Sequence, residues 1–118
     1  MVDRRPTTLS SLEYHVLLAL ADGPLYGYAV LQAVTAQSRG SVTPRAGSLY
    51  RVFARLMTWH FVVETKSGKA VAEPHPGLER KYYALAPAGS QAVMAEARRL
   101  RHAADLADER FGVADGVE

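Results

Sequence analysis

Residues 43–60 read TPRAGSLYRVFARLMTWH, and this stretch decides the expected fold. At about 100° per residue, the large apolar side chains share one helical face, and the hydroxyls and arginines share the other. The apolar set is Leu49, Val52, Phe53 and Leu56, and the polar set is Ser48, Arg51, Arg55 and Thr58. Thr43-Pro44 is a typical helix start, because a capping hydroxyl precedes the residue best tolerated at the first helical position. We therefore predict an amphipathic helix that runs from Thr43-Pro44 to Trp59 or His60.

The polar face of this helix carries positive charge and no carboxylate. Between Gly23 and Val63 the sequence has no Asp or Glu, yet it has arginines at 39, 45, 51 and 55. Arginine pairs with the edge of a guanine or reaches a phosphate, and Arg45 lies near the helix N-terminus, which also attracts phosphate. The alternative is a solvated helix face, but such faces usually mix both charge signs. The pattern therefore favours contact with the major groove of DNA.

Two helices are predicted upstream. Ser10 and Glu13 have the spacing of a capping box, and Asp22-Gly23-Pro24 should end that first helix, with the glycine available for a left-handed cap. A second helix is expected from Gly27 to Ser38, where Arg39-Gly40-Ser41 breaks it. Three helices joined by short turns, with a small glycine-containing turn between the last two, match a helix-turn-helix.

The second helix opens with Tyr26-Gly27-Tyr28. We expect one of these tyrosines to donate its hydroxyl to a partner and the other to lie in the core. The glycine between them should permit close packing of neighbouring elements. Trp59, at the edge of the apolar face of the third helix, is predicted to pack in the core or at an interface.

A β-wing is predicted after the third helix. Residues 62–66 and 81–85 have strand composition, and the polar segment 67–80 between them contains Gly and Pro. The wing carries four basic residues that could grip the flanking DNA backbone or enter a minor groove: Lys66, Lys69, Arg80 and Lys81. Three glutamates at 64, 73 and 79 dilute this charge.

The last helix is predicted to run from Pro87 to Phe111. Its apolar residues are spaced 4, 3, 4, 3 and 4 apart, which is a heptad seam: Val93, Ala97, Leu100, Ala104, Ala107 and Phe111. A helix of roughly 36 Å exceeds what a winged helix needs to cover its core, so we interpret the seam as a dimerisation surface. The alternative is a helix folded back on its own domain. We divide the chain into a DNA-binding domain, 1–86, and a dimerisation helix with an acidic tail, 87–118.

Composition narrows the class of protein. The chain has 118 residues, a net charge of +2 and a pI near 9.1, and it has no cysteine, which excludes disulfides and cysteine-based zinc sites. No apolar run reaches the roughly 20 residues that a membrane span needs, and residues 1–8 lack a signal-peptide core. The four histidines have no metal-ligand spacing, and no catalytic motif is present. We expect a cytoplasmic protein that is not an enzyme and binds no metal or cofactor.

Three motifs in order resemble the PadR family of bacterial transcriptional regulators: Tyr26-Gly27-Tyr28, Gly47-Ser48-Leu49-Tyr50, and Arg80-Lys81-Tyr82-Tyr83-Ala84-Leu85 followed by Gly89. The resemblance covers 10–89, and the single C-terminal helix is similar to the short-tailed branch of the family. It implies a winged-helix dimer, commonly a repressor relieved by an aromatic or otherwise apolar small molecule. It also implies that Tyr26, Ser48 and Tyr50 join the DNA contacts.

This chain departs from the family pattern at several positions. Ala46 and Arg51 replace the prolines that often flank the Gly-Ser-Leu-Tyr motif, and Trp59-His60-Phe61 stands where a glycine-containing turn is usual. Arg51 adds a charge on the groove-facing side, so the base preference of relatives does not transfer to this chain.

The sequence thus predicts a mainly α (α+β) winged helix-turn-helix that binds a pseudo-palindromic operator as a homodimer. The DNA contacts expected on it are Tyr26, Thr43, Arg45, Ser48, Tyr50, Arg51, Arg55, Lys66, Lys69, Arg80 and Lys81. An effector could occupy an apolar gap at the dimer axis, walled by Trp59 or Phe111. The rival interpretation is a winged-helix adaptor whose basic face meets an acidic protein instead of DNA.

Overall fold

Seven elements make up the computed structural model, which describes residues 5–66 and 81–112. Their order is α1 (Ser11–Ala19), β1 (Leu25–Tyr26), α2 (Gly27–Gln37), α3 (Ala46–Thr58), β2 (Val62–Thr65), β3 (Tyr82–Leu85) and α4 (Pro87–Phe111). Lys69 and Arg80 of the predicted wing and the acidic tail from residue 113 lie outside the described residues. None of the described helices is long and apolar enough to cross a bilayer.

The start of α1 forms as its capping box predicts. Glu13 N–H donates to Ser10 Oγ at 3.1 Å, and Ser10 N–H donates to Glu13 Oε1 at 2.8 Å. These reciprocal bonds satisfy two amides that have no partner inside the helix. The helix ends at Ala19, ahead of the predicted stop, and Gly23 has a φ of 141° in the turn that follows. The prediction that Gly23 caps α1 directly is therefore wrong.

The third helix, α3, starts later than the sequence predicts. Its N-cap is Arg45, whose backbone is extended and whose carbonyl accepts the Leu49 N–H at 2.9 Å. The Ser38 hydroxyl accepts the Val42 N–H at 3.0 Å and donates to the Val42 carbonyl at 3.2 Å. These bonds hold residue 42 in the turn from α2, so Thr43-Pro44 belongs to the turn and the prediction of a helix start there is wrong.

The turn after α3 has the backbone of a Schellman motif without a glycine. Phe61 N–H donates to the Leu56 carbonyl at 2.9 Å and His60 N–H donates to the Met57 carbonyl at 3.0 Å. His60 takes the left-handed position with a φ of 64°, where a side chain other than glycine is uncommon. Histidine thus occupies the position of this motif that glycine usually takes.

The core lies where α1, α2 and α3 meet the sheet. It contains the four predicted apolar residues of α3, all nearly inaccessible, together with Val16, Leu17, Val30 and Val34 from the other two helices. The Phe53 ring stacks on the Tyr83 ring of β3 with centroids 3.8 Å apart and planes 6° apart. This stacked pair joins α3 to β3.

The sheet has three antiparallel strands in the order β1-β3-β2. The hairpin of β2 and β3 is the predicted wing, with Val62 opposite Leu85 and Thr65 opposite Tyr82. The third strand, β1, pairs Leu25 with Tyr83 and Tyr26 with Tyr82. Two residues are too few for an alternating pattern, so β1 could not be recognised in the sequence.

The first half of α4 is anchored to the core by a buried carboxylate. Glu96 is 5% exposed, accepts the Leu9 N–H at 3.1 Å, and receives Nε and Nη2 of Arg99 at 3.3 and 2.9 Å. Burial alone would raise the pKa of the Glu96 carboxyl. The hydrogen bonds from Arg99 and Leu9 and the charge of Arg99 more than offset this effect, so the pKa lies below its ordinary value of 4.5.

This lowered pKa predicts an acid-sensitive contribution to stability. Because the folded protein binds the Glu96 proton more weakly than the unfolded chain, the stabilisation is complete above pH 4.5 and is lost as the pH falls through the folded-state pKa. The difference in melting temperature between wild type and Glu96→Gln should shrink below pH 4.5. Exposed Glu109→Gln is the control, and a difference that stays constant down to pH 3.5 would contradict the assignment.

Candidate nucleic-acid interface

The exposed face of α3 presents the polar side chains predicted for it. Arg51 is exposed and donates from Nη2 to Ser48 Oγ at 3.4 Å, so its guanidinium lies over the N-terminal half of the helix. Gly47 and Ala54 are exposed on the same face. No ion pair joins Arg51 or Arg45 to a carboxylate within residues 5–66 and 81–112. These two charges are therefore available to a phosphate or a base edge.

Tyr50 connects α3 to the start of α2. This residue is 52% exposed, and its ring lies 6.0 Å from the Phe53 ring. A Cβ built on buried Gly27 would lie only 2.6 Å from the Tyr50 hydroxyl oxygen, far inside van der Waals distance. The expectation that Gly27 allows a close approach is confirmed, and its neighbour is the tyrosine of the Gly-Ser-Leu-Tyr motif.

The two tyrosines that flank Gly27 take different roles. Tyr26 is 8% exposed, pairs with Tyr82 in the sheet, and places its ring edge-on to the Tyr82 ring with centroids 5.7 Å apart. Tyr28 is 55% exposed. Because Tyr26 is fixed in the sheet, its burial does not favour the DNA contact that the family resemblance implied, and Tyr28 is the ring in position to reach a partner.

Arg55 has a partner that the pattern of α3 does not reveal. Its Nε donates to Glu13 Oε2 of α1 at 3.0 Å, and the Glu13 side chain is 8% exposed against 45% for Arg55. The carboxylate is supplied by another helix, 42 residues away in sequence. The sequence of α3 therefore contains no acidic residue, but the folded protein brings one from α1 to this face.

Both helices that would approach DNA begin without a side-chain cap. The N-cap residues are Tyr26 for α2 and Arg45 for α3, and neither side chain accepts a hydrogen bond from the first turn. Unsatisfied amides and the helix dipole make such ends favourable for phosphate. Thr43 and Arg45 are exposed beside the start of α3, which suits them to contact the DNA backbone.

The described part of the wing carries a partly neutralised charge. Lys66 and Lys81 are exposed at the ends of β2 and β3, and Lys81 Nζ lies 3.7 Å from Glu64 Oε2. Both side chains of this ion pair are largely exposed, so the pair contributes little stability. Lys81 remains able to exchange Glu64 for a phosphate.

The predicted seam of α4 divides into two parts. Val93 and Ala97 are half-buried, whereas Leu100, Ala104 and Ala107 are exposed and Phe111 is 80% exposed. Every residue from Arg98 to Gly112 except Leu106 is exposed. The second half of the helix therefore extends beyond its own core, which argues against the alternative of a helix folded back along its whole length.

A cleft of about 160 Å³ lies between α1 and α4. Its lining includes Leu9, Tyr14, His15, Glu96 and Leu100. Neither Trp59 nor Phe111, the two residues predicted to wall an effector site, lines this cleft. Trp59 is half-buried with its ring 5.9 Å from the Phe61 ring, and Phe111 is in the last turn of α4.

In the described ranges no group of three or more His, Asp or Glu is arranged to hold a metal ion.

Several solved structures share this fold at low sequence identity. A PadR family transcription regulator from Clostridium difficile aligns with a TM-score of 0.68 and 19% identity over 86% of this chain and 98% of that chain. A transcriptional regulator from Clostridium thermocellum aligns with a TM-score of 0.68 and 17% identity over 83% and 87%. Bacillus subtilis PadR in complex with operator DNA aligns with a TM-score of 0.58 and 21% identity over 72% and 45%.

Comparison of the sequence itself gives the family. No curated protein matches the chain significantly. The model of the "Transcriptional regulator PadR-like family" matches residues 16–95, which include the last four residues of α1, all of α2 and α3, the three strands and the first nine residues of α4. The chain thus belongs to the PadR-like family of transcriptional regulators.

Proposed function

We propose that this protein is a homodimeric, sequence-specific DNA-binding repressor that acts in the cytoplasm. The observation that carries the proposal is the exposed face of α3, on which Arg45 and Arg51 have no described acidic partner and lie beside Ser48 and Tyr50. The operator complex of the Bacillus subtilis relative supports a DNA partner. Membership in a family of regulators also confirms the expectation that the chain is not an enzyme.

The proposed complex places one α3 from each protomer in successive major grooves. A two-fold dimer matches a pseudo-palindromic site with half-sites about one helical turn apart. Ser48, Tyr50 and Arg51 face the bases, while Thr43, Arg45, Lys66 and Lys81 face phosphates. Lys69 and Arg80 remain predicted contacts in the segment outside the described residues. We assign to Tyr28 the DNA contact that the family resemblance implied for Tyr26.

The dimer is proposed to form through the exposed half of α4. Leu100 and Phe111 present apolar surface there, and Ala104 and Ala107 permit a close approach of a second helix. Residues 1–86 would then form the DNA-binding unit and 87–118 the dimerisation unit. Sedimentation equilibrium measures the assembly, and a monomer at concentrations above those used for DNA binding would refute this part.

Binding to the DNA upstream of the protein's own gene tests the proposal. Affinity for this duplex and for a random duplex of equal length is measured from 50 to 400 mM salt. A specific complex with a linear log–log salt dependence is expected. The absence of any preference at low salt would overturn sequence-specific binding, and the absence of salt-dependent binding to either duplex would favour the protein-adaptor alternative.

Replacing Arg51 should reduce sequence discrimination. A bidentate arginine–guanine contact contributes about 1–3 kcal/mol, so Arg51→Ala should lower the ratio of specific to random-duplex affinity by about 5- to 150-fold for each half-site that the dimer contacts. Arg45→Ala is the matched control from the same helix. As a phosphate contact in each protomer, Arg45 should affect both duplexes equally, and its loss should reduce the salt slope of the dimer by about 1.8. Equal weakening of both duplexes by Arg51→Ala would contradict base recognition.

We also propose that a small apolar or aromatic effector binds at the dimer axis, near Trp59 or Phe111, and thereby relieves repression. Trp59 is half-buried beside Phe61, so its fluorescence should respond to a ligand packed nearby. A library of phenolic and hydrophobic cationic compounds is titrated against the protein–DNA complex. If no compound changes the Trp59 fluorescence or releases DNA, the proposal of an effector is refuted.

A further inference from the structure

The pair of Glu13 and Arg55 joins the first helix to the recognition helix. Glu13 Oε1 accepts the Ser10 N–H at 2.8 Å, and Glu13 Oε2 accepts Arg55 Nε at 3.0 Å. Each carboxylate oxygen therefore has a donor, and the residue is 6% exposed. The carboxylate is held in place from both sides, so its charge is fixed next to the exposed face of α3.

The burial of this carboxylate distinguishes it from the surface ion pair of the wing. The pair of Lys81 and Glu64 is separated by 3.7 Å and its carboxylate is 44% exposed, whereas the Glu13 side chain is 8% exposed. Screening by water and salt is much weaker for a buried charge. A phosphate can therefore displace Glu64 from Lys81 far more easily than Glu13 from Arg55.

The charge of α3 is consequently uneven along its length. Arg51 contacts only a neutral hydroxyl, and Arg45 has no acidic partner in the described ranges, whereas Arg55 forms a pair with zero net charge. Affinity for random DNA depends on how many cations displace counterions from phosphates. A neutral pair adds little to that number.

We propose that Glu13 is the internal counter-ion of the recognition helix, which withholds Arg55 from DNA phosphates and so limits sequence-independent binding. This inference rests on the proposed function and removes Arg55 from the direct contacts predicted from sequence. Glu13 acts through Arg55 and is a positioning residue that raises specificity by lowering non-specific affinity.

Two variants in which uncharged glutamine replaces a charged residue separate the counter-ion role of Glu13 from a structural role. Glu13→Gln removes the charge but keeps an oxygen that can accept the Ser10 N–H, since glutamine also serves in a capping box. The double variant Glu13→Gln with Arg55→Gln removes both charges, so the net charge stays that of wild type. Glu109→Gln, in the last turns of α4, is the control for the loss of one negative charge elsewhere. Melting curves confirm that each variant is folded.

Binding of a random duplex is measured against salt concentration for all four proteins. Glu13→Gln should steepen the log–log slope of the dimer by about 1.8, the value for one additional phosphate contact from each protomer. This corresponds to about sixtyfold tighter random binding by the dimer at 0.1 M salt, if affinities converge at 1 M. The double variant and Glu109→Gln should both retain the wild-type slope.

Two results would overturn the inference. An unchanged slope in Glu13→Gln would show that Arg55 is not released, and a slope about 1.8 shallower for the dimer of the double variant would show that Arg55 contacts a phosphate despite Glu13. The assay uses random DNA, so it does not require an operator. Failure of wild type to prefer its upstream DNA would reject the proposed function but leave these slopes as the test of Glu13.

Discussion

Phe53→Ala is expected to destabilise the protein by about 4 kcal/mol, near the middle of the range for deleting a buried aromatic ring. Phe53 is 1% exposed and stacks on Tyr83, so its removal leaves a cavity between α3 and β3. The helix cannot collapse into that space without pulling its polar face away from DNA. Chemical denaturation followed by circular dichroism measures the loss, and operator affinity should fall with it.

Tyr50→Ala is the control for this variant, since Tyr50 is an aromatic residue of the same helix that is 52% exposed. Its loss should cost less than about 1 kcal/mol, the usual range for partly exposed positions, while DNA affinity falls. The two variants thus separate support of the helix from contact with DNA. A stability loss under 1.5 kcal/mol for Phe53→Ala would mean that the stacked pair is not central to the core.

Gly89→Ala is expected to destabilise the protein by about 3 kcal/mol, the upper end for overpacking. A Cβ at Gly89 would collide with the carbonyl oxygen of Phe61 and lie 2.9 Å from Leu85 Cδ1. That carbonyl accepts the Ala86 N–H at 2.9 Å, so it cannot rotate aside without losing a bond. The first turn of α4 would have to move away from the start of β2, and thermal melting measures the cost.

Gly47→Ala is the matched control on another helix. The nearest atom to a Cβ there is Arg51 Nη1 at 3.8 Å, an ordinary contact with a flexible side chain. Alanine favours helix over glycine, so stability should rise by about 0.5 kcal/mol. Operator affinity should fall, because the added methyl group faces the groove. Similar melting temperatures for Gly89→Ala and wild type would show that α4 does not pack as described.

Local rules, meaning capping residues and the spacing of apolar side chains within one segment, predicted most of the helix boundaries. Pro87 starts α4 and left-handed Gly112 follows its last residue, so a helix of 25 residues could be predicted almost to the residue. The capping box at Ser10 and the buried face of α3 formed as their spacing indicated. In each of these cases the signal lies within a few residues of chain, and the deciding hydrogen bonds or burial follow from local periodicity.

Local rules failed where a side chain or strand outside the element decides the outcome. The Ser38 hydroxyl delays the start of α3 by holding Val42 in the turn. β1 exists only because β3 offers its edge to Leu25 and Tyr26. The same pairing buries Tyr26 and leaves Tyr28 exposed, a choice that the sequence left open between the two tyrosines.

The amino-acid sequence by itself determined the winged helix-turn-helix, the arginine face of α3 and the heptad seam, because each is a periodic property of one segment. Only the tertiary structure decided which of those arginines keeps its charge available. Glu13 and Arg55 are separated by 42 positions, and no spacing rule connects them. The packing of α1 against α3 places a buried carboxylate 3.0 Å from the guanidinium, and the two opposite charges give a pair with no net charge.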